Sequence, residues 1–463
     1  MNKNAKNYIG IPNWIKDAIF YEIFPERFFN GDPNNDPPNV ESWGGVPTRT
    51  NFFGGDLQGI INKLDYLETL GINAIYLTPI FAANANHKYD TIDYYKIDPH
   101  FGDINTFRLL LKEAHNRGIR IILDAVFNHV GENFWAFQDV IKHGKNSKYF
   151  NWFYIKGFPI TKTPKPNYET YENAYYLVKL NTNNPEVRQY LYNIAKYWTS
   201  EGIDGWRLDV PYLISHDFWK DFRRIVKEIN PELYIVGECW EEATEWLYGD
   251  EWDGAMNYPL RNLIIDFFIN RKLDALTFDQ KLADLRKACP GETIYAMLNL
   301  LGSHDTPRFL TLCKGNKELF KVAVAFLFTY VGIPMIYYGD EIGMLGENDP
   351  DCRRCMIWDS TLQDRELLEW HRKLIAIRKM HLALRYGSFQ TIYASDDIYS
   401  FERKYNEDFA IIILNRGTNS KSIELPDKFW YGRYKLRDEI SEKVYEKSSL
   451  IEVGSYSVLI LTS

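Results

Sequence analysis

The sequence predicts an α/β fold: a closed (β/α)8 barrel with an inserted subdomain after the third strand and a C-terminal antiparallel β domain. Three observations predict it. One phrase recurs, in which a helix-like segment ends in Gly, Ile follows, and a strand-like run comes next. It is seen in ETLGINAIYLTPI (Glu68 to Ile80), HNRGIRIILDAVF (His115 to Phe127) and TSEGIDGWRLDV (Thr199 to Val210). Strands alternating with amphipathic helices require a parallel sheet covered on both faces. The rhythm runs to about eight units, the number that closes a barrel. An open doubly wound sheet is the alternative, and the absence of GxGxxG after the first strand disfavours it.

The units follow one another in order. The first strand lies in AIFYEIFPERF. The helix before the second has apolar residues at Ile60, Leu64 and Leu67, and the helix before the third at Leu110, Leu111 and Ala114, both with helical spacing. The Gly that closes each helix is a left-handed C-cap. NPELYIVGECW follows the helix FWKDFRRIVKEI as the fifth strand, and GAMNYPL, IYAMLNLLGSHD and IPMIYYGDEIG supply the rest. Between Val130 and about Asn184 the helical period is lost and aromatics, Pro and Asn accumulate, which predicts a small subdomain or lid. After about Leu384 short alternating strands such as FAIIILNRG and YSVLILTS predict a β-sandwich. The expected division is therefore a barrel over 1–129 and 185–384, a lid over 130–184 and a C-terminal domain over 385–463.

Composition excludes several function classes. A formal net charge of -8 argues against a broad nucleic-acid footprint. No run is long enough to cross a bilayer, and the start, MNKNAKNYIGIPNW, has no apolar export core. Five cysteines, an odd number, then favour a reducing cytosol, and the lone CxxC of Cys352 and Cys355 lacks the second pair that a zinc site needs. Aromatic content of 16% suits sugar stacking, although most of these rings must be core.

Chemistry in such a barrel lies at the C-terminal strand ends. The second strand leads to His87, Tyr89 and Asp90. The third ends in Asp124, Asn128 and His129, the fourth in Arg207 and Asp209, the fifth in Glu238 followed by Trp240, and the seventh in His304 and Asp305. Any one of them can be a satisfied polar group at a sheet edge. Converging in one cavity, they are too much charge to bury idle. Arg207 and Asp209, two apart on a strand, share a face. Either they form a structural ion pair, or the guanidinium holds a working carboxylate ionised. Glu238, with Val236 and Trp240 near it, is expected in apolar surroundings that favour an acid. Two carboxyls of this kind, roughly 5–5.5 Å apart, suit retaining glycoside cleavage. Asp305 can grip hydroxyls and stabilise positive charge at the anomeric carbon.

At these residues the sequence resembles the α-amylase superfamily of glycoside hydrolases. DAVFNH, GWRLDV, GECW and LLGSHD stand in order on the strands where that family carries its four short regions. FPERFFNGDPNNDPP, FFGGDLQG, NHKYDTIDYYKIDPHFGD, IYYGDEIGM and DPDCRR narrow the likeness to the neopullulanase, cyclomaltodextrinase and maltogenic amylase group. The resemblance implies Asp209 as nucleophile, Glu238 as acid/base and Asp305 as transition-state stabiliser. It implies sugar contacts from His87, Tyr89, His129, Arg207 and His304. It places Asp349 and Arg353 at the next glucose on the non-reducing side and Trp240 on the leaving-group side. It also implies structural calcium held by Asn30, Asp32, Asn35, Asp36, the Gly54 carbonyl and Asp56, where composition alone allows a plain Asn/Gly/Asp/Pro turn.

Three departures from the group stand out. The barrel begins almost at once, with no N-terminal β domain of the kind that builds the group's dimer and narrows its cleft. A more open cleft, better suited to polymeric starch, is therefore expected, with monomer and dimer both open. Val210-Pro211-Tyr212-Leu213 replaces VANE after the nucleophile, and Leu177 to Asn181 reads LVKLN where the group has an MPKLN-like segment. The expected function is an α-glucan hydrolase acting on maltooligosaccharides, cyclodextrins, pullulan or starch. An α-glucan transferase and a non-catalytic sugar- or partner-binding barrel are the alternatives.

Overall fold

Eight parallel strands close into a ring in the computed structural model of the chain, which describes residues 10–447 and 450–463. Residues 1–9, the opening of the stretch on which the missing export core was read, lie outside the described residues. The strands are β1 (Phe20–Ile23), β2 (Ala74–Leu77), β3 (Arg120–Ala125), β4 (Gly205–Leu208), β5 (Tyr234–Cys239), β6 (Gly254–Asn257), β7 (Leu298–Leu300) and β8 (Ile333–Tyr337). Each pairs with its sequence neighbours, and β1 pairs with both β2 and β8. The glycines of the recurring phrase are left-handed: Gly71, Gly118 and Gly202 have φ of 97°, 69° and 102°. Their N–H groups close the ends of the helices Leu64–Leu70, Ile104–Asn116 and Pro185–Ser200.

Side chains alternate between two cores, as the pleat requires. Phe20, Ala74, Tyr76, Ile122, Tyr234, Val236, Met256, Leu298 and Met335 fill the barrel interior. Tyr21, Ile75, Ile121, Trp206 and Ile235 face outward and pack in the large apolar layer shared with the helices. The same alternation carries polar groups to the mouth. Inward positions two residues beyond Phe20, Ile122, Gly205 and Val236 are Glu22, Asp124, Arg207 and Glu238, all buried.

The segment after β3 leaves the barrel through the strand His129–Gly131, which pairs antiparallel with Leu177–Lys179. The LVKLN segment thus forms an edge of the inserted unit. A helix, Trp135–His143, and a cluster of Trp135, Tyr149 and Trp152 pack within it. Beyond the barrel, six antiparallel strands run in the spatial order 388–395, 398–405, 408–415, 457–462, 435–438 and 444–446, beside a two-stranded ribbon of Lys421–Ile423 and Ile451–Val453. The position expected to begin this domain, 385, falls inside a short helix, Leu382–Tyr386, with the first strand starting at Ser388. Arg403, fully buried, ties this sheet to the barrel by donating to the carbonyls of Thr329 and Gly387.

One outward position of β5 admits no side chain. A Cβ at Gly237 would stand 2.4 Å from the indole of Trp252, itself buried against Trp246. Gly237→Ala should therefore destabilise by about 1–3 kcal/mol through overpacking. A lower denaturation midpoint with an unchanged slope is the expected result, and an unchanged midpoint would show that the indole gives way freely.

Candidate active site

A cleft of about 1050 Å³ opens at the C-terminal mouth of the barrel. Asp209, Glu238 and Asp305 line it, together with His87, Tyr89, His129, Trp240, Asp349 and Arg353. Arg207 and His304, each 1% exposed, lie beneath its floor.

Arg207 is the hub. Its Nη1 donates to both oxygens of Asp124, at 3.0 and 2.9 Å, and to Asp209 Oδ1 at 2.8 Å. Its Nη2 forms an ion pair with Glu238 Oε2 at 3.0 Å, close but not aligned as a hydrogen bond. Asp124 is the direct cross-strand neighbour of Arg207, which places carboxylate and guanidinium in one layer. The expectation that Arg207 would hold the Asp209 carboxyl low is corrected here. Burial lifts that carboxyl well above its ordinary range, Arg207 opposes the rise, and Glu238 and Asp124 add to it. One guanidinium serves three carboxylates, so none has it alone.

Glu238 also differs from its expected setting. Its Oε1 accepts from the Trp240 indole N–H at 2.9 Å and its Oε2 from the Val210 N–H at 3.1 Å. The sequence showed Trp240 only as an apolar neighbour. Its ring is in fact stacked on buried Tyr258, centroids 3.9 Å apart, which turns the N–H toward the carboxylate. Val210 has φ 37° and ψ 48°. Left-handed backbone is uncommon for a β-branched residue and costs of order 1–3 kcal/mol, and here it aims the amide at Glu238.

Asp305 sits in a cationic corner. His304 Nε2 lies 3.1 Å from Asp305 Oδ2, and Arg353 Nη2 lies 3.1 Å from Oδ1. Burial alone would raise this carboxyl, but His304, Arg353 and Arg207 outweigh it and leave it below the ordinary range. His304 moves the opposite way. Burial disfavours its charge, yet Asp305 and Glu22 raise its affinity for a proton above that of a free imidazole. Glu22, on β1, accepts from both the Nδ1 and the backbone N–H of His304. Tyr89 O–H bridges His304 Nε2 at 2.7 Å and Asp124 Oδ2 at 3.0 Å, joining this corner to the Arg207 hub.

The other two histidines are neutral. Burial pushes each down to about 3, and Arg353, Lys88 and His129 add to the effect at His87. His87 Nδ1 accepts the Tyr89 backbone N–H at 3.0 Å, so its remaining proton is on Nε2. His129 lies face to face with Tyr171 of the inserted segment, centroids 5.0 Å apart and 6° from parallel. Sequence reasoning missed Glu22, Tyr76 and Tyr171, and it named Asp124 without giving it a task. A lone carboxylate in the apolar β1 run FYEI was the available signal for Glu22.

The loop expected to hold calcium is built around Asp56. That carboxylate accepts from the N–H groups of Gly31, Asp32 and Gly59 and from Asn35 Nδ2. Asn30 Nδ2 donates to Asp36 at 2.7 Å. A Cβ at Gly54, φ 82°, would meet Asp36 Oδ1 at 2.2 Å, so the Gly54 backbone closes tightly on the loop. Asp32 turns instead onto Asn34. Among the described residues no group of three or more His, Cys, Asp and Glu is placed to hold a metal. The amide oxygens of Asn30 and Asn35 are, however, buried without a partner. Orphaned neutral oxygens of this type are hard donors that fit calcium. The CxxC has a different role, in which Cys352 Sγ donates to the His304 carbonyl.

The raised affinity of His304 carries a pH signature. The charge stabilises the fold fully below the free imidazole value of about 6.5, and that contribution is lost as pH rises through the higher folded value. His304→Gln should therefore cost more unfolding free energy at pH 6 than at pH 9. Denaturant melts at the two pH values test this, and a gap that widens with pH would mean a neutral imidazole.

Comparison with known proteins agrees with this geometry. Residues 22–363 match the family model described as alpha amylase, catalytic domain. The cyclomaltodextrinase of Thermoanaerobacter pseudethanolicus is 52% identical over 422 residues, covering 91% of this chain and 74% of that protein. Neopullulanase 2 of Thermoactinomyces vulgaris is 47% identical over 447 residues, covering 96% and 76%. Among solved structures, the cyclic α-maltosyl-(1→6)-maltose hydrolase from Arthrobacter globiformis superposes with a TM-score of 0.91 at 44% identity, covering 98% of this chain and 99% of that one. With its closed barrel, its mouth of paired carboxylates and these relatives, the chain is a glycoside hydrolase and belongs to the α-amylase family.

Proposed function

We propose that the protein is a retaining α-glucan hydrolase that cleaves α-1,4 bonds in maltooligosaccharides, cyclodextrins, pullulan or starch. One observation carries the reading: Asp209 and Glu238 meet on a single guanidinium at the floor of the cleft, with Asp305 alongside. Asp209, in the ionised form that Arg207 favours, attacks the anomeric carbon while Glu238 gives a proton to the departing oxygen. A water then enters, Glu238 takes its proton, and the glycosyl–Asp209 bond breaks. Asp305, kept ionised by its cations, balances positive charge on the sugar ring. His87, Tyr89, His129 and His304 present donors and faces to the hydroxyls, and Trp240 meets the leaving-side sugar. The names of the relatives, among them a cyclomaltodextrinase, a neopullulanase and a maltogenic α-amylase, support this substrate class.

Transfer to a sugar acceptor in place of water is the second reading. The half-exposed indole of Trp240, 39% accessible on the leaving side, favours it by offering an acceptor sugar a surface. Products longer than a maltotriose substrate would identify it. We place the protein in the cytosol, because all five cysteines are unpaired and four of them are buried. A relative named intracellular maltogenic amylase agrees with this.

Structural calcium belongs to the same proposal. Asn30 and Asn35 would hold it through their orphaned oxygens, with Asp36 and the Gly54 carbonyl adjacent. When bound it supplies rigidity to the loop after β1. Binding to the native state alone stabilises by about 2.7 kcal/mol at a hundredfold excess over Kd.

Asp209→Asn should lower turnover by at least about a thousandfold with the thermal melt retained. Residual activity near that of the native enzyme would remove Asp209 as nucleophile. Glu238→Gln should slow maltotriose far more than an aryl glucoside whose leaving group needs little protonation. Equal losses on both substrates would mean that Glu238 is not the acid. A chelator should lower the melting temperature of the native chain but not of Asn30→Ala. A native melt indifferent to chelation would make the loop a plain turn.

A further inference from the structure

A row of alternating charges leads from the reaction centre to the rim of the cleft. Asp305 pairs with Arg353 at 3.1 Å, Arg353 with Asp349 at 3.0 Å, and Asp349 with Arg49 at 3.8 Å. Glu238 stands on β5 with Trp240 just after it, and Arg353 follows β8, so the row leaves the mouth on the β8 side, away from Glu238 and Trp240. Arg49 is its outermost member, with a side chain 74% exposed.

The backbone under Arg49 is fixed. Asn86, 3% exposed, donates from its Nδ2 to the carbonyls of Thr48 and Asn51. Asn51 in turn accepts from Thr48 N–H at 2.8 Å and donates to Val46 O at 2.9 Å. Trp43 bolts the same loop to the opposite one through the Met356 carbonyl, at 3.0 Å. Arg49 is therefore delivered to the cleft rim by a built turn. The same two loops line a second cavity of about 420 Å³, with Val46, Pro47, Leu345 and Arg354 among its walls. The Arg49–Asp349 pair lines the cleft itself.

We propose that Arg49 is a specificity-determining residue that caps the glucan at its non-reducing end, beside the unit held by Asp349 and Arg353. The inference rests on the α-glucan hydrolase reading. A guanidinium offers up to five donors to the free hydroxyls of a terminal glucose. A glucan that continues past this point carries a glycosidic bond in place of one hydroxyl and must push Arg49 aside. An exposed pair of this kind is worth about 0–1 kcal/mol, so the cap biases product length without enforcing it. Two units fit between the cap and the scissile bond, one over Asp209 and Asp305 and one beside Asp349.

The test uses a maltohexaoside carrying an aryl group at its reducing end, with the fragments from the non-reducing end separated by chain length. The native enzyme should release chiefly the two-unit fragment. Arg49→Ala should raise the ratio of three-unit and longer fragments to two-unit fragments about fivefold. Its thermal melt should not change, because the side chain is exposed. Arg49→Lys, which keeps the charge, should return part of the way to the native ratio. A native ratio in Arg49→Ala would overturn the inference, as would chiefly longer fragments from the native enzyme. No cleavage by the native enzyme would instead overturn the α-glucan reading beneath it.

Discussion

The mouth of the barrel is organised around a shortage of positive charge. Arg207 is fully buried and faces Asp124, Asp209 and Glu238 at once. Ionised together, these three carboxylates exceed the single cation, and low-dielectric surroundings make the excess expensive. Trp240 and Val210 answer the imbalance with N–H donors to Glu238, and Tyr76 and Tyr89 with O–H donors to Asp124. A second cationic corner, His304 with Arg353, relieves Asp305. The polar floor is thus one network in which neutral donors supplement a cation shared among three carboxylates.

Much of this was legible in the chain. Gly71, Gly118 and Gly202 mark three helix ends because only glycine accepts left-handed backbone cheaply, and each precedes a barrel strand. Period-two alternation put Arg207 and Asp209 on one face. Contacts across the ring were not legible. Glu22 and His304 are 282 residues apart, and nothing local in either segment names the other. The direction of the Asp209 shift was missed because the sequence shows a neighbour two positions away and hides Asp124 and Glu238 from other strands. The N–H of Trp240 was missed for a similar reason, since its aim is set by stacking on Tyr258, which opens the helix after β6.

Strands and the turns directly after them supply the reactive groups, and longer loops supply the walls. Tyr171 reaches His129 from the inserted segment, and Arg49 reaches Asp349 from the loop after β1. Arg49 connects to Asp305 through Asp349 and Arg353. Asn86 braces the loop of Arg49 and lies next to His87.

The pairing of Glu22 with His304 also sets an order of events during synthesis. β1 is the first barrel strand to leave the ribosome, and its pairing partner β8 is the last. At about 5–20 residues per second, Glu22 waits on the order of tens of seconds for its imidazole. The reaction centre is therefore incomplete until the chain has been made at least as far as His304 and Asp305, which follow β7.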